Sequence, residues 1–166
     1  VHVDLKYLPQ MQDEESRKYL YVAIDRATRW VYLEILPDKK ASTASSFLEK
    51  LCKAAPFKIK IILTDNGKEF TDRFCVQGDR VPTGNHVFDV QCKVHNIEHR
   101  LIKPKHPQTN GMVERFNKRI ADILRRTTFD SALDLKRTID KYHLVYNQHL
   151  TQRALGHITP LEKMKQ

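Results

Sequence analysis

The 166-residue chain has no apolar run long enough to cross a membrane as a helix, no repeats and no low-complexity tract. A membrane-spanning helix is therefore excluded. No signal peptide is expected, since Asp4 and Lys6 interrupt the first apolar residues. Cysteine is scarce. Cys52, Cys75 and Cys92 make an odd number without a Cys-x-x-Cys pair, which excludes a disulfide framework and points to a reducing compartment. Cys75, Cys92, His95 and His99 match no standard zinc spacing. Acidic residues are also few, 20 against 29 Lys and Arg, for a net charge of +9. That balance suits a polyanionic partner, although a merely soluble basic surface has the same composition. At 40% hydrophobic residues, the chain should fold as one ordinary domain with its own core.

The apolar pattern gives an order of elements. Val1 to Leu8 alternates as a strand, and Tyr19–Ile24 and Trp30–Leu36 are rich in β-branched and aromatic residues. Arg26-Ala27-Thr28 is short enough to join the latter two as a hairpin, so an antiparallel three-strand start is expected. Ala44, Phe47, Leu48, Leu51 and Ala55 recur at helical spacing, with Ser42 as the expected N-cap and Pro56 as the stop. The run Ile59–Leu63 then reads as a buried strand, reached by a right-handed crossover to a parallel neighbour.

Residues 71–91 are the least legible. Gly78, Pro82 and Gly84 mark turns, Val87–Val90 is too short to assign, and a loop or small hairpin should feed a helix near Val90–His95. Ile97–Ile102 reads as a short strand. Lys103-Pro104-Lys105-His106-Pro107-Gln108-Thr109-Asn110 reads as a basic loop, because each proline disfavours helix in the residue before it. A long helix follows from about Gly111 to Thr127, with a core stripe of Val113, Phe116, Ile120, Ile123 and Leu124. Ser131 opens a last helix with Asp134 in capping-box position and Leu135, Ile139, Tyr142 and Tyr146 buried. Residues 1–147 are expected to form the core, and 148–166 a polar extension with a turn.

Three carboxylates stand out. Asp65 follows a buried strand at an Asn66-Gly67 turn, Asp4 lies on the first strand, and Glu114 opens the long helix. Active groups in α/β sheets tend to sit where strands end. Like charges brought together raise one another's pKa, and oxygen-only ligands suit Mg²⁺ or Mn²⁺. Two such ions hold the attacking and leaving oxygens of an in-line phosphoryl displacement. The bland alternative is a strand polar residue, a turn residue and a charge complementing a helix dipole. Asn117 and Lys118 share a helical face with Glu114. Lys103, Lys105, His106, Arg115 and Arg119 are candidates for phosphate contacts, or for a solvated basic face. Asp25 is expected at a hairpin end, Glu69 as an exposed turn residue, and Trp30 in the core; His2 shares Asp4's strand face.

Thr64-Asp65-Asn66-Gly67-Lys68-Glu69-Phe70, with His106-Pro107-Gln108-Thr109-Asn110-Gly111-Met112-Val113-Glu114-Arg115-Phe116-Asn117, closely resembles the catalytic core of retroviral integrases and bacterial insertion-sequence transposases. Trp30 and the stretch from Tyr146-Asn147 to Thr159-Pro160 extend the likeness over nearly the whole chain and point to the insertion-sequence branch. The resemblance implies a ribonuclease H-like α/β fold with a mixed five-stranded sheet, three strands antiparallel and then two parallel, flanked by helices. It implies that Asp4, Asp65 and Glu114 ligate two Mg²⁺ or Mn²⁺ ions. It implies metal-dependent hydrolysis and strand transfer at transposon ends, in the nucleoid-associated cytoplasm of a bacterium. It implies that Asn66, Gln108, Asn110, Asn117 and Lys118 lie beside the DNA. Assembly as a homo-oligomer on DNA and a separate N-terminal DNA-binding domain, absent from this stretch, are further expectations. A hybrid- or junction-cutting nuclease and a non-catalytic DNA-binding module are the alternatives. Two features depart from the family pattern. The interval from Asp65 to Glu114 is longer than in retroviral integrases, and Leu150-Thr151-Gln152 stands where Arg-Pro-His is common.

Overall fold

The computed structural model describes residues 1–75, 78–102 and 111–166. Strands β1 (His2–Tyr7), β2 (Tyr19–Ile24) and β3 (Val31–Leu36) form an antiparallel meander. Helix α1 (Ala41–Ala54) crosses over to β4 (Ile61–Thr64), which lies parallel beside β1. A two-stranded ribbon, β5 (Phe74–Cys75) and β6 (Gly78–Asp79), precedes α2 (Val87–Val94). Strand β7 (Glu98–Leu101) then pairs parallel with β4. Helices α3 (Gly111–Arg126) and α4 (Ala132–Gln148), a 3₁₀ turn Arg153–Leu155 and α5 (Pro160–Met164) complete the chain. The main sheet has five strands in the order β3-β2-β1-β4-β7, so β1 is central and β4 lies beside it.

The sheet is buried on both faces, and the sequence of β2 shows why. Tyr21 and Ala23 pack on the α1 and α2 side with Phe47, Leu48, Leu51, Phe88 and Cys92. Leu20, Val22 and Ile24 pack on the other side with Val113, Phe116 and Ile120 of α3 and Leu135, Ile139 and Tyr146 of α4. A strand covered on both faces has no polar face to show, which explains its unbroken apolar run. Each large side chain buried in these layers contributes about 1.5–3 kcal/mol of transfer free energy.

Several local expectations need correction. Ser42 is not the N-cap of α1; Lys40 holds that position with no side-chain cap. Asp38 organises the entry instead, accepting from the Lys40 N–H at 3.0 Å and the Thr43 hydroxyl at 2.5 Å. Helix α2 starts at Val87, three residues before the expected Val90. Its cap is His86, whose ring accepts from the Phe88 N–H at 3.2 Å, a role that an imidazole does not advertise in sequence. Ser131 does cap α4, accepting from the Asp134 N–H at 3.1 Å. Asp134, however, turns to the Asp130 N–H at 3.4 Å and leaves the box half closed. The complete capping box lies in the tail read as a polar extension, where Thr159 and Glu162 cap α5 reciprocally. Thr159-Pro160-Leu161-Glu162 carries that signature in plain view.

Candidate active site

The two aspartates meet through strand register. His2 is level with Leu63 across the parallel β1–β4 pair, and two residues further on Asp4 of β1 comes level with Asp65, just past the end of β4. Neighbouring strands lie about 4.8 Å apart. Helix α3 packs against β1 and β2 and brings in its first turn. There the Asn117 amide N–H donates to Asp4 Oδ2 at 2.6 Å. Helical spacing puts Glu114 one turn before Asn117 on the same side.

Electrostatics place the three carboxylates in one neighbourhood. Burial holds the Asp4 carboxyl above the ordinary carboxylate pKa, and the charges of Asp65 and Glu114 push the same way. The bonds from the Leu5 N–H and Asn117 oppose them. Among the described residues, no three His, Cys, Asp or Glu side chains are close enough together to hold a metal ion. Glu114 is exposed, and three like charges with no cation between them repel. All three offer hard oxygen donors, the kind that suits Mg²⁺ or Mn²⁺ rather than a soft metal.

The Asp65 turn is built from its own residues. Asp65 Oδ1 accepts from the Gly67 N–H at 2.9 Å. A Cβ at Gly67 would fall 2.8 Å from the Glu69 carboxylate and 3.0 Å from Asp65 Oδ1, so a larger residue there would push these two acidic side chains aside. Glu69 is buried rather than exposed, which corrects the sequence expectation. Burial, and next the charge of Asp65, raise its pKa. The charge of Asp65 therefore acts on both Asp4 and Glu69. Asp65 also lines a cavity of about 680 Å³ with Leu5, Tyr7, Lys39 and Glu69.

A polar relay behind the site has no signal in the sequence. Asp89 of α2 meets His99 Nδ1 at 2.5 Å, and His99 Nε2 meets the Thr64 hydroxyl at 2.9 Å. Thr64 then donates to the Asp65 carbonyl at 2.9 Å. The relay ties α2 and β7 to the end of β4, where position matters for Asp65. His95 turns away to Gln91, so the histidines serve packing and alignment.

The DNA candidates separate in space. Asn66 uses its amide N–H to bind the Ile102 carbonyl at 2.9 Å, tying the end of β4 to β7. Asn117 grips Asp4. Lys118 is exposed on the Glu114 side of α3, while Arg115 and Arg119 turn toward Tyr146. Lys103, Lys105, His106, Gln108 and Asn110 lie outside the described residues. Asp25 has its expected hairpin role, accepting from the Thr28 N–H and hydroxyl, both at 2.8 Å. Trp30 packs partly buried on the core, stacked with Tyr32 and edge-on to Phe57.

An integrase core domain model matches residues 1–107, and a second one matches residues 95–160. This chain belongs to the integrase core domain family. Its sheet and flanking helices are the ribonuclease H-like arrangement of that family. The chain is similar to proteins of different origin. The "Putative integrase ORF3" of Spiroplasma virus SpV1-C74 is 24% identical over 169 residues, covering 96% of this chain and 46% of that protein. The insertion element IS476 uncharacterized 39.2 kDa protein of Xanthomonas euvesicatoria is 27% identical over 151 residues, 90% of this chain and 36% of that protein. The retrovirus-related Pol polyprotein from transposon TNT 1-94 of Nicotiana tabacum is 29% identical over 118 residues, 70% of this chain and 8% of that protein. The chain thus spans less than half the length of each of these relatives. No described helix is long and apolar enough to cross a membrane.

Proposed function

We propose that the chain is the catalytic core of a DNA transposase or integrase of the bacterial insertion-sequence kind, acting on phosphodiesters at transposon ends. Asp4, Asp65 and Glu114 are the metal ligands in this reading, with residues 1–147 as the core and 148–166 as its extension. One observation carries it: register sets Asp4 level with Asp65, and the helix that bears Glu114 already holds Asp4 through Asn117. Two Mg²⁺ or Mn²⁺ ions bound there would neutralise the acids and supply Lewis-acid stabilisation of an in-line displacement, first by water and then by a 3′-hydroxyl. The protein's part is alignment. The Gly67 turn fixes Asp65, the Thr64–His99–Asp89 relay fixes the strand end, and Asn117 fixes Asp4. Lys118 stands on the Glu114 side to meet a phosphate, which positions a duplex without reading its sequence. The partner is DNA, bound by a homo-oligomer whose further DNA-binding domain lies on another part of the protein.

The test is nicking and joining of transposon-end duplexes with Mg²⁺ or Mn²⁺, beside RNA–DNA hybrid and junction substrates. Asp65→Asn should lower the rate by more than the 10–100-fold typical of a supporting residue while the melting profile stays cooperative. Undiminished joining by that variant removes Asp65 from the mechanism. Preference for the hybrid or junction identifies a nuclease instead.

A further inference from the structure

A second site lies on α3, on the side away from Asn117. A cavity of about 500 Å³ is lined by Arg29, Arg115, Arg119 and Arg153 together with Phe116 and Tyr146. Its remaining lining residues include no carboxylate. The arginines come from three separate parts of the chain: the β2–β3 hairpin, α3 and the 3₁₀ turn of the tail. Among the described residues, none of the four takes part in an ion pair. The Arg119 guanidinium stands 5.9 Å over the Tyr146 ring, and Arg115 Nε donates to the Gly111 carbonyl at 2.9 Å.

Two features show that this convergence is costly to the free protein. Arg29 adopts a left-handed backbone with φ 63°, a position where glycine or asparagine is the easy choice. Burial, then the charge of Arg115, also hold the Arg29 pKa below the usual guanidinium value. Asp25 opposes this shift, as the weakest of the influences on Arg29, and no carboxylate lines the pocket, so like charges gathered round an aromatic wall form a receptor for an external anion. Guanidinium forks match phosphate oxygens in pairs.

We propose that this pocket clamps a backbone phosphate of duplex DNA, separately from the carboxylate site. The assignment rests on the DNA reading above. The same helix carries both sites. At 100° per residue, Arg119 lies about 160° round from Asn117, so the two sites are roughly one helix diameter, about 10–12 Å, apart. Phosphates of one strand are separated by about 3.4 Å along the duplex axis and by more in space, so the clamped phosphate lies about two to four nucleotides from the reacting one.

The experiment is a salt titration of duplex binding, read by fluorescence anisotropy, on the whole chain. Arg29→Gln and Arg153→Gln should each lower the slope of log K against log salt by about 0.9. Their double variant should lose no more than about 0.9 in all, because both act on one phosphate. Lys53→Gln removes the same charge from α1, across the sheet and paired with Glu49, and should leave the slope unchanged. Equal slopes for parent and arginine variants overturn the pocket, and so does an equal fall in Lys53→Gln, which would mean bulk charge alone. An inorganic phosphate arm separates the sources. A phosphate-induced rise in melting midpoint that the variants abolish while DNA slopes stay equal assigns the pocket to free phosphate and overturns the DNA clamp. Methylphosphonate substitution in the DNA needs no protein variant. One neutral linkage two to four nucleotides from the joining site should weaken parent binding several-fold, and equal affinity at all of these positions overturns the clamp. Failure of the parent to bind duplex DNA at all would defeat the underlying reading rather than the pocket alone.

Discussion

Asp4 is held in surroundings that oppose its charge. It is held by Asn117 and the Leu5 N–H, yet burial and two nearby acids leave its pKa raised. A raised folded-state pKa means that the native chain binds this proton more tightly than the unfolded one does. Ionised Asp4 therefore costs stability, a cost absent below the unfolded value of 3.8 and increasing as pH rises through the folded value. Asp4→Asn should melt above the parent at pH 7 in chelator, with the difference narrowing as pH falls toward 4. Calorimetry across that range checks it, and a parent that melts as high as the variant at pH 7 contradicts it. Glu69 has the same sign, because burial and Asp65 raise its pKa too.

At the scale of elements, the sheet edge shows what Tyr146-Asn147 does. β3 is an edge strand, and Val31 has an N–H and a carbonyl unused by the ladder. Asn147 of α4 accepts from that N–H at 2.9 Å and donates to that carbonyl at 2.8 Å, as a paired strand would. His143 approaches the same carbonyl at 2.7 Å. Tyr146, one residue before, packs edge-on against Phe116 of α3. Two adjacent residues thus fasten α4 to the sheet edge and to the helix bearing Glu114. Asn147→Ala leaves the N–H of buried Val31 unpaired and its carbonyl with His143 alone, and should cost about 1–3 kcal/mol, a fall of roughly 2–12 °C in melting midpoint for a chain of this size. Asn147→Asp keeps the acceptor alone and should fall in between.

For the molecule as a whole, the central sheet holds acids at one end of β1 and β4 inside a protein of net charge +9. A divalent cation that binds only the folded acids must stabilise the whole domain. At a hundred times its Kd, Mn²⁺ should add about 2.7 kcal/mol, or roughly 5–10 °C in melting midpoint. The gain should vanish in Asp65→Asn. Thermal melts with and without Mn²⁺ at neutral pH check this, and an equal gain in the variant would place the ion elsewhere.

Much of this was legible in the chain, because short-range physics writes it there. Apolar period gave β2, β3, α1 and the face of α3, and the crossover rule set β4 parallel to its neighbour. Asp65 was marked by its strand and its turn, Asp4 and Glu114 by their places on the first strand and at the start of the long helix, and the resemblance implied that the three act as one ligand set. What the tertiary structure alone decided concerns groups that meet from distant places. The level of Asp4 with Asp65 is a matter of interstrand register, which no local pattern encodes. Glu69 is buried beside the buried Phe70, although a charged residue after an Asn-Gly turn reads as exposed. The Asp89–His99–Thr64 relay and the four-arginine pocket join side chains from separate elements, and their energies depend on distance in space. A sequence records which charges are present, but only packing determines which of them are forced to share a site.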